Sequence, residues 1–341
     1  MIDFRYHLVS IVAVFLALAV GLVVGATALK PTTLQGLDNL SRREQNRIIA
    51  QQTKIQALQG QVNNDQAAAK AAAPLVLNNL LAGQQVVLVT APGSDGATIS
   101  GVTTALQQAG AKVTGQAELQ PAFFDTSAST ESSLEALAQH VAPAGVTPGI
   151  QSGQPDVSTK IAGQQAAAQV LAPALVTKAG DLPAQQTKPI LDGFAAQRFL
   201  QMNVAGGSAV PPQATLAVMI IPAVPPASGA ADPANLALIS LAAQLEVSSR
   251  GVVLAGSLPG SGSGSAIDEL IHGSTGVQLP SVDDADTEVG QIEVAQALHL
   301  ALTGHKPAPY GVLSGAAPSP APTPTPTPTP TRSPARVKSG G

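Results

Sequence analysis

The sequence contains no cysteine and no tryptophan, and aromatic residues make up only 2% of its 341 residues. Without cysteine the chain cannot form a disulfide framework, a thiolate metal site or a cysteine nucleophile. Charged residues account for 11% of the chain, against about 25% in average soluble proteins. The net charge is −4 and no dense basic cluster occurs. This argues against a nucleic-acid partner, because neutralising phosphates requires clustered lysine and arginine.

Motifs of well-known enzyme classes are also missing. The sequence has no GxxxxGK[ST] phosphate loop, no GxSxG nucleophile elbow, and no HxxxH or HExxH among its 5 histidines. A glycine-rich segment at 256–265 follows a predicted strand and could cradle an anion. A flexible turn is the better interpretation there. We therefore predict a protein that is not an enzyme and requires no cofactor, with catalysis at 256–265 as a distant alternative.

Residues 8–29 form an uncharged apolar run of 22 residues. A helix needs about 20 apolar residues to cross about 30 Å of hydrocarbon, so we predict a signal-anchor transmembrane helix over residues 1–30, with the lipid bilayer as its surroundings. The alternative is a cleaved signal peptide, because Ala26-Thr27-Ala28 has the small-x-small form of a cleavage site. The run is longer than the roughly 7–15 apolar residues of a signal peptide.

By a simple positive-inside count, the positive charges favour a cytoplasmic domain over an exported one. Arg5 precedes the apolar run, whereas Lys30, Arg42, Arg43 and Arg47 follow it. We still predict a single-pass protein with most of the chain outside the cytoplasm, because a short N-terminal stub before a long apolar run is the usual signal-anchor arrangement. The sequence gives no support for placement in an outer envelope layer.

Small residues recur every four positions in the apolar run, at Ala13, Ala17, Gly21 and Gly25. On a helix they share one face, where small side chains let two backbones approach closely, and Gly21 with Gly25 forms a GxxxG motif. The face is a candidate surface for helix pairing in the membrane. The alternative is that small residues are simply abundant in this chain.

Residues 31–73 carry a heptad pattern typical of a coiled-coil stalk. One series of positions is mostly apolar and the other is half polar. The predicted core residues are Leu34, Leu37, Ile48, Ile55, Leu58 and Val62. Together with the small-residue face, this pattern predicts a parallel homodimer or a higher oligomer. The alternative is one amphipathic helix folded back on the next domain.

Residues 74–315 alternate between strand and helix patterns, which predicts an α/β domain with parallel strands, an open α/β sandwich. The predicted strands begin at Gln85 and Lys112 and cover 216–221 and 252–255, and the predicted helices cover 97–108, 131–141, 160–172, 189–202, 234–247 and 287–303. Residues 316–341 are rich in Thr-Pro repeats, which favour extended chain without a core. We predict a disordered tail there.

Two sets of residues are weak candidates for metal ligation. His299 and His305 lie near the end of a predicted helix, and Asp283, Asp284 and Asp286 lie at its beginning. Carboxylate oxygens bind hard cations, but carboxylates at the beginning of a helix also cap it. Helix capping is the preferred interpretation for the aspartates, and a favourable interaction with the helix dipole is preferred for the histidines.

Three segments resemble one family. They are the N-terminal residues 1–26, the segment 282–298 (VDDADTEVGQIEVAQAL), and the pairs Gly304-His305 and Tyr310-Gly311 near the C-terminus. The sequence is similar to the actinobacterial copper-transporter family typified by mycobacterial copper transport protein B, which also includes the cell-envelope protein SteB. The separation of the Gly-His and Tyr-Gly pairs is wider here than the family pattern.

The resemblance implies a role in copper transport or copper homeostasis at the cell envelope. The residues themselves add little to this, since Cu(I) prefers thiolate and thioether ligands and the sequence offers no Cys and only Met202 and Met219 beyond Met1. One spanning helix also cannot enclose a pore, so copper, as a transported species, would need an oligomer or a partner. The second hypothesis is a non-enzymatic scaffold, similar to SteB, that binds an envelope protein.

Overall fold

The protein is described by a computed structural model, and the structure describes residues 4–28, 31–143, 145–149, 161–178, 184–204, 213–222, 232–258, 264–273, 275–317 and 319–320. Two compact units are present. The first is Met1–Asp65 and the second is Gln66–Gly341. The Thr-Pro repeats of the predicted tail, together with residues 259–263 of the glycine-rich segment, lie outside the described residues.

The first unit is entirely helical where it is described. Helix α1 covers Phe4–Ala28, and helix α2 covers Pro31–Val76, so α2 also supplies the first residues of the second unit. Side chains of α1 from Tyr6 to Ala26 are all exposed, and this segment is long and apolar enough to cross a membrane. Pro74 does not end α2, because a proline in the last turn blocks one backbone hydrogen bond without preventing the final residues from remaining helical.

The second unit is built on a seven-stranded sheet with the order β3-β2-β1-β4-β5-β6-β7. Its strands are β1 (Gln85–Thr90), β2 (Lys112–Leu119), β3 (Leu200–Val204), β4 (Leu216–Ile220), β5 (Val252–Ala255), β6 (Ser281–Val282) and β7 (Pro309–Tyr310). All neighbouring strands are parallel except β3, which pairs antiparallel with β2 at the edge. The predicted α/β fold with parallel strands is confirmed.

Helices cover both faces of this sheet. They are α3 (Gly96–Gln108), α4 (Ala128–Val141), α5 (Ala162–Leu175), α6 (Ala184–Ala196), α7 (Pro233–Ser248), α8 (Ala266–His272) and α9 (Glu288–Leu302), with a short 3₁₀ helix at Pro121–Phe124. Successive side chains of a strand point to opposite faces of the sheet, so both faces carry apolar side chains that helices bury. In β1, Val87 and Val89 join the core under α4 to α8, whereas Val86 and Leu88 join the core under α3 and α9.

The edge strand β3 differs from the sequence prediction, which placed 189–202 in one helix. Helix α6 ends at Ala196, and the chain turns at Arg198, whose φ of 60° is left-handed. Leu200 is buried while Gln201 is exposed, which is the alternation of an edge strand. The prediction was wrong for 197–202 because a segment this short carries too few apolar positions to separate a helix period from a strand period.

Candidate functional site

The carboxyl ends of the parallel strands meet at one edge of the sheet, and this carboxyl edge carries the polar and cavity-forming residues of the domain. Strand β1 leads into α3 on one face, whereas β4 leads into α7 on the opposite face. Chains that leave adjacent strands in opposite directions open a crevice between them, and in open α/β sheets this switch point is where ligands bind.

A crevice of about 270 Å³ lies at this switch point. Its described walls are residues that follow β1, β2 and β4 and residues in the first turns of α7 and α8. They are Ala91, Pro92, Pro121, Phe124, Ile221, Pro222, Ala234, Asn235, Leu238, Ser265 and Ala266. None of these described wall residues carries a charge, and all except Asn235 and Ser265 have apolar side chains, so the crevice is largely apolar.

The acidic residues Asp283, Asp284 and Asp286 lie farther along the same edge, directly after β6. Asp283 is fully buried, and its two carboxylate oxygens accept the backbone N–H groups of Val312 at 2.8 Å and Leu313 at 3.0 Å. The cap of α9 is Thr287, whose hydroxyl accepts the N–H of Gly290. Asp283 therefore fixes the segment after β7, and helix capping falls to the threonine.

Gly311 shows why that segment can approach so closely. Its φ is +123°, and a Cβ at this position would lie 2.3 Å from Oδ1 of Asp283. Two segments singled out in the sequence, 282–298 and Tyr310-Gly311, are thus parts of one contact. The sequence shows both segments, but nothing in their spacing shows that they meet.

Two further carboxyl groups are buried beside Asp283. Burial raises the pKa of Asp284, and the neighbouring Asp283 adds to this effect. Burial also raises the pKa of Glu293, although a hydrogen bond from the Ser319 hydroxyl opposes the shift. Among the residues that the structure describes, Oδ1 of Asp284 and Oε2 of Glu293 have no hydrogen-bond partner. The raised pKa values mean that the fold favours the protonated, uncharged forms.

The predicted metal candidates do not come together. His299 contacts the backbone oxygen of Leu80 through Nδ1 at 2.8 Å, and His305 contacts the Thr303 hydroxyl at 2.8 Å. Both lie at the C-terminal end of α9, whereas Asp283, Asp284 and Asp286 lie at its beginning. A helix of 15 residues is about 22 Å long. Within the described ranges, no group of three or more His, Asp or Glu side chains could hold a metal ion.

In the first unit, the residues predicted for helix packing remain uncovered. Ala13, Ala17, Gly21 and Gly25 are exposed on α1, and a Cβ added at either glycine would meet no atom within 4 Å. Pairing through this face stays a prediction.

The predicted coiled-coil residues of α2 are also exposed wherever their side chains are described. Between 46% and 54% of each side chain is accessible at Ile48, Ile55, Leu58 and Val62. The side chains of Leu34 and Leu37 lie outside the described residues. A row of half-exposed aliphatic residues at heptad spacing is the pattern expected of a coiled-coil strand without its partner.

Comparison with known proteins decides the family. A family model described as "Copper transport outer membrane protein, MctB" matches residues 1–321. The chain belongs to the MctB family. It is 28% identical over 330 residues to the copper transporter MctB of Mycobacterium leprae, covering 93% of this chain and 98% of that protein. It is 27% identical over 329 residues to the copper transporters MctB of Mycobacterium bovis and Mycobacterium tuberculosis, with 93% and 98% coverage. The predicted family is therefore confirmed over α1, α2 and the α/β unit alike.

Proposed function

We propose that this MctB-family protein contributes to copper transport and copper homeostasis at the cell envelope, as a membrane-anchored oligomer that works without catalysis. The family match over residues 1–321 carries this proposal, because it includes the apolar helix and the α/β domain in one continuous alignment. The curated relatives are named copper transporters. In this proposal, α1 is the tether and the domain lies outside the cytoplasm.

The available ligands favour an indirect role in copper handling. Cu(I) prefers sulfur ligands, and the chain has no cysteine and two methionines beyond Met1. Met219 is fully buried in the middle of the sheet and Met202 is partly buried on the edge strand. Met219 is therefore closed to an ion from solvent, and Met202 offers at most a single, partly exposed thioether. We therefore propose that copper moves through an assembly of several chains or through a partner protein.

The exposed aliphatic residues of α2 support self-association. Ile48, Ile55, Leu58 and Val62 fall on the two heptad series, where they would interlock with the same residues of a second chain. A parallel homodimer places two apolar helices side by side in the bilayer, with the faces formed by Ala13, Ala17, Gly21 and Gly25 available for contact.

Cysteine cross-linking tests the dimer directly, because the native chain has no thiol. Gln51→Cys lies on a heptad series that faces the partner, and Thr53→Cys lies on the far side of the same turn. We expect oxidation in membranes to cross-link the Gln51→Cys chain much more efficiently than the Thr53→Cys chain. Equal cross-linking of both variants, or none, would rule out the parallel in-register dimer.

The copper role is tested in a deletion strain complemented with full-length variants. Ile55→Glu with Leu58→Glu places charge in the predicted seam, and Thr53→Glu with Gln56→Glu adds the same charge outside it. We expect the deletion to raise copper sensitivity and only the second double variant to restore resistance. A deletion strain with unchanged copper sensitivity would refute the copper proposal.

A scaffold function is the second candidate, favoured by the same exposed face of α2. That face could bind a cell-wall or division protein instead of a second copy of the chain. The deletion strain should therefore be scored for cell-wall and division defects together with copper sensitivity. Envelope defects without copper sensitivity, combined with loss of a co-purifying envelope protein in the Ile55→Glu and Leu58→Glu chain, would favour the scaffold.

A further inference from the structure

The crevice at the switch point between β1 and β4 occupies the position where related folds bind nucleotides, but its surroundings are unsuited to an anion. Phosphate binds at a helix N-terminus through free backbone N–H groups. At α3 the carboxylate of Asp95 already accepts the N–H of Thr98 at 3.0 Å, and at α7 the carboxylate of Asp232 accepts the N–H of Ala234 at 2.8 Å. At each of these two helices, a carboxylate therefore occupies one of the N–H groups that a phosphate would use.

The N-terminus of α8, whose first residues line the crevice, is capped in a similar way. The hydroxyl of Ser265 accepts the N–H of Asp268 at 3.0 Å, and the carboxylate of Asp268 accepts the N–H of Gly264 at 2.9 Å. The described part of the glycine-rich segment thus donates to a side chain of its own helix. A phosphate group brought to this end of the sheet would therefore meet the carboxylates of Asp95, Asp232 and Asp268, each already bonded to a backbone N–H group.

Polar atoms in the crevice wall are likewise engaged within the protein. The side-chain nitrogen of Asn235, which is buried, donates to the backbone oxygen of Gly264 at 2.7 Å. Next to the wall residue Ala91, the hydroxyl of Ser94 donates to the backbone oxygens of Ala91 at 2.8 Å and Ile220 at 3.0 Å. The remaining wall consists of alanine, proline, leucine, isoleucine and phenylalanine side chains.

We propose that this crevice binds the hydrocarbon part of a small, uncharged aliphatic molecule. Its volume of about 270 Å³ approaches the roughly 300–1,000 Å³ of small-ligand pockets. Its apolar walls favour the transfer of aliphatic surface from water. The carboxylates of Asp95, Asp232 and Asp268 lie within three residues of wall residues along the chain and disfavour an anionic head group. This site is separate from the α2 face and does not depend on the copper proposal.

Photo-cross-linking on the full-length protein in lipid nanodiscs tests the site, because the position of the label separates the crevice from the bilayer. Three decyl probes with the same diazirine would be compared, bearing a hydroxyl, a carboxylate or an ammonium head group. We expect the hydroxyl probe to label peptides that contain Ala91–Pro92, Phe124 or Ala234–Leu238, with about tenfold less labelling by the carboxylate probe. Labelling confined to α1 would overturn the proposal. This result is expected if another segment of the chain fills the crevice.

Two sets of variants sharpen the test. Ala234→Leu fills the crevice and should reduce labelling there several-fold, while Ala136→Leu, at an exposed position of α4, should leave it unchanged. Asp95→Asn with Asp232→Asn keeps both helix caps, since asparagine caps as well as aspartate, but removes two negative charges. We expect this double variant to raise labelling by the carboxylate probe towards that of the hydroxyl probe. If equal carboxylate labelling is already present in the native protein, anion exclusion is wrong.

Discussion

The two units of this protein satisfy their apolar residues in opposite ways. In Met1–Asp65, aliphatic side chains such as Leu16 and Ile55 are more than half exposed. In Gln66–Gly341, the sheet strands and the helix faces that cover them bury apolar residues on both sides of the sheet. The second unit is stabilised by its own packing, whereas the first leaves its apolar residues exposed. In the proposed function, lipid covers α1 and a second chain covers α2.

The sharpest test of this comparison is to make α1 polar. Val12→Arg with Leu16→Arg places two charges one turn apart near the middle of the apolar segment, at about 2.5–3.5 kcal/mol each. We expect the variant chain to leave the membrane fraction, with the α/β unit still folded by circular dichroism. Val12→Ala with Leu16→Ala is the control and should stay in the membrane. Full membrane retention of the arginine variant would show that α1 is not the anchor.

Core truncation should affect the second unit and not the first. Phe194 is fully buried and lies edge-on to Phe199, with ring centroids 6.5 Å apart. We expect Phe194→Ala to lower the free energy of unfolding of the α/β unit by about 3–5 kcal/mol, measured by urea denaturation. Ile55→Ala on α2 should change the same quantity by about 0.5 kcal/mol or less. A small effect at Phe194 would contradict the packing of α6 on the sheet.

The contact between Asp283 and the segment after β7 is tested by adding a single methyl group. Gly311→Ala forces a Cβ against the buried carboxylate at a backbone angle that only glycine adopts readily. Gly304 also has a positive φ, of +76°, but a Cβ there meets no atom. We expect Gly304→Ala to destabilise the domain by about 1 kcal/mol and Gly311→Ala by about 3 kcal/mol, both by urea denaturation. Similar losses in the two variants would argue against this contact.

The buried carboxyl groups give the second unit its own pH dependence. Because the pKa of Glu293 is raised in the folded state, the protonated form is favoured by folding. The stabilisation from this group is full below its unfolded pKa of about 4.3 and is lost as the pH rises through the folded value.

Glu293→Gln removes this titrating group. We expect the free energy of unfolding of Glu293→Gln, relative to that of the native protein, to rise between pH 4 and about pH 7, because the native protein loses the stabilisation from protonated Glu293 over this range. Urea denaturation at several pH values measures the difference. Glu44→Gln, at an exposed position of α2, is the matched control. A pH-independent difference between Glu293→Gln and the native protein would mean that folding does not raise the pKa of Glu293.

Regular elements of the fold were predictable because their signals are local. The buried run at β1, the helical pattern of α3 and the apolar helix α1 each lie within one continuous segment. The edge strand β3 and the two-residue strands β6 and β7 were not predicted. Strands so short are set by the neighbours with which they pair, which no local window contains.

In the candidate sites, even more depends on contacts that only the fold creates and less on local sequence signals. The sequence identified the segment 282–298 and Gly311 separately, and it identified Asp283 as a candidate for metal binding or helix capping. Only the fold brings the Asp283 carboxylate against the backbone of Val312 and Leu313. The crevice wall likewise combines residues from five chain segments, from Ala91 to Ala266. Of these, the sequence singled out only the end of the glycine-rich segment 256–265.

The sequence by itself determined the apolar helix, the heptad pattern of α2 and the α/β class, because these follow from residue types repeated at short, regular intervals. It also indicated the family, through the resemblance of residues 1–26 and 282–298. The tertiary structure alone decided the strand order, the apolar crevice at the switch point and the burial of Asp283, Asp284 and Glu293 beside one another. The physical reason is that parallel strands bring their carboxyl ends together at one edge regardless of how far apart those ends lie along the chain.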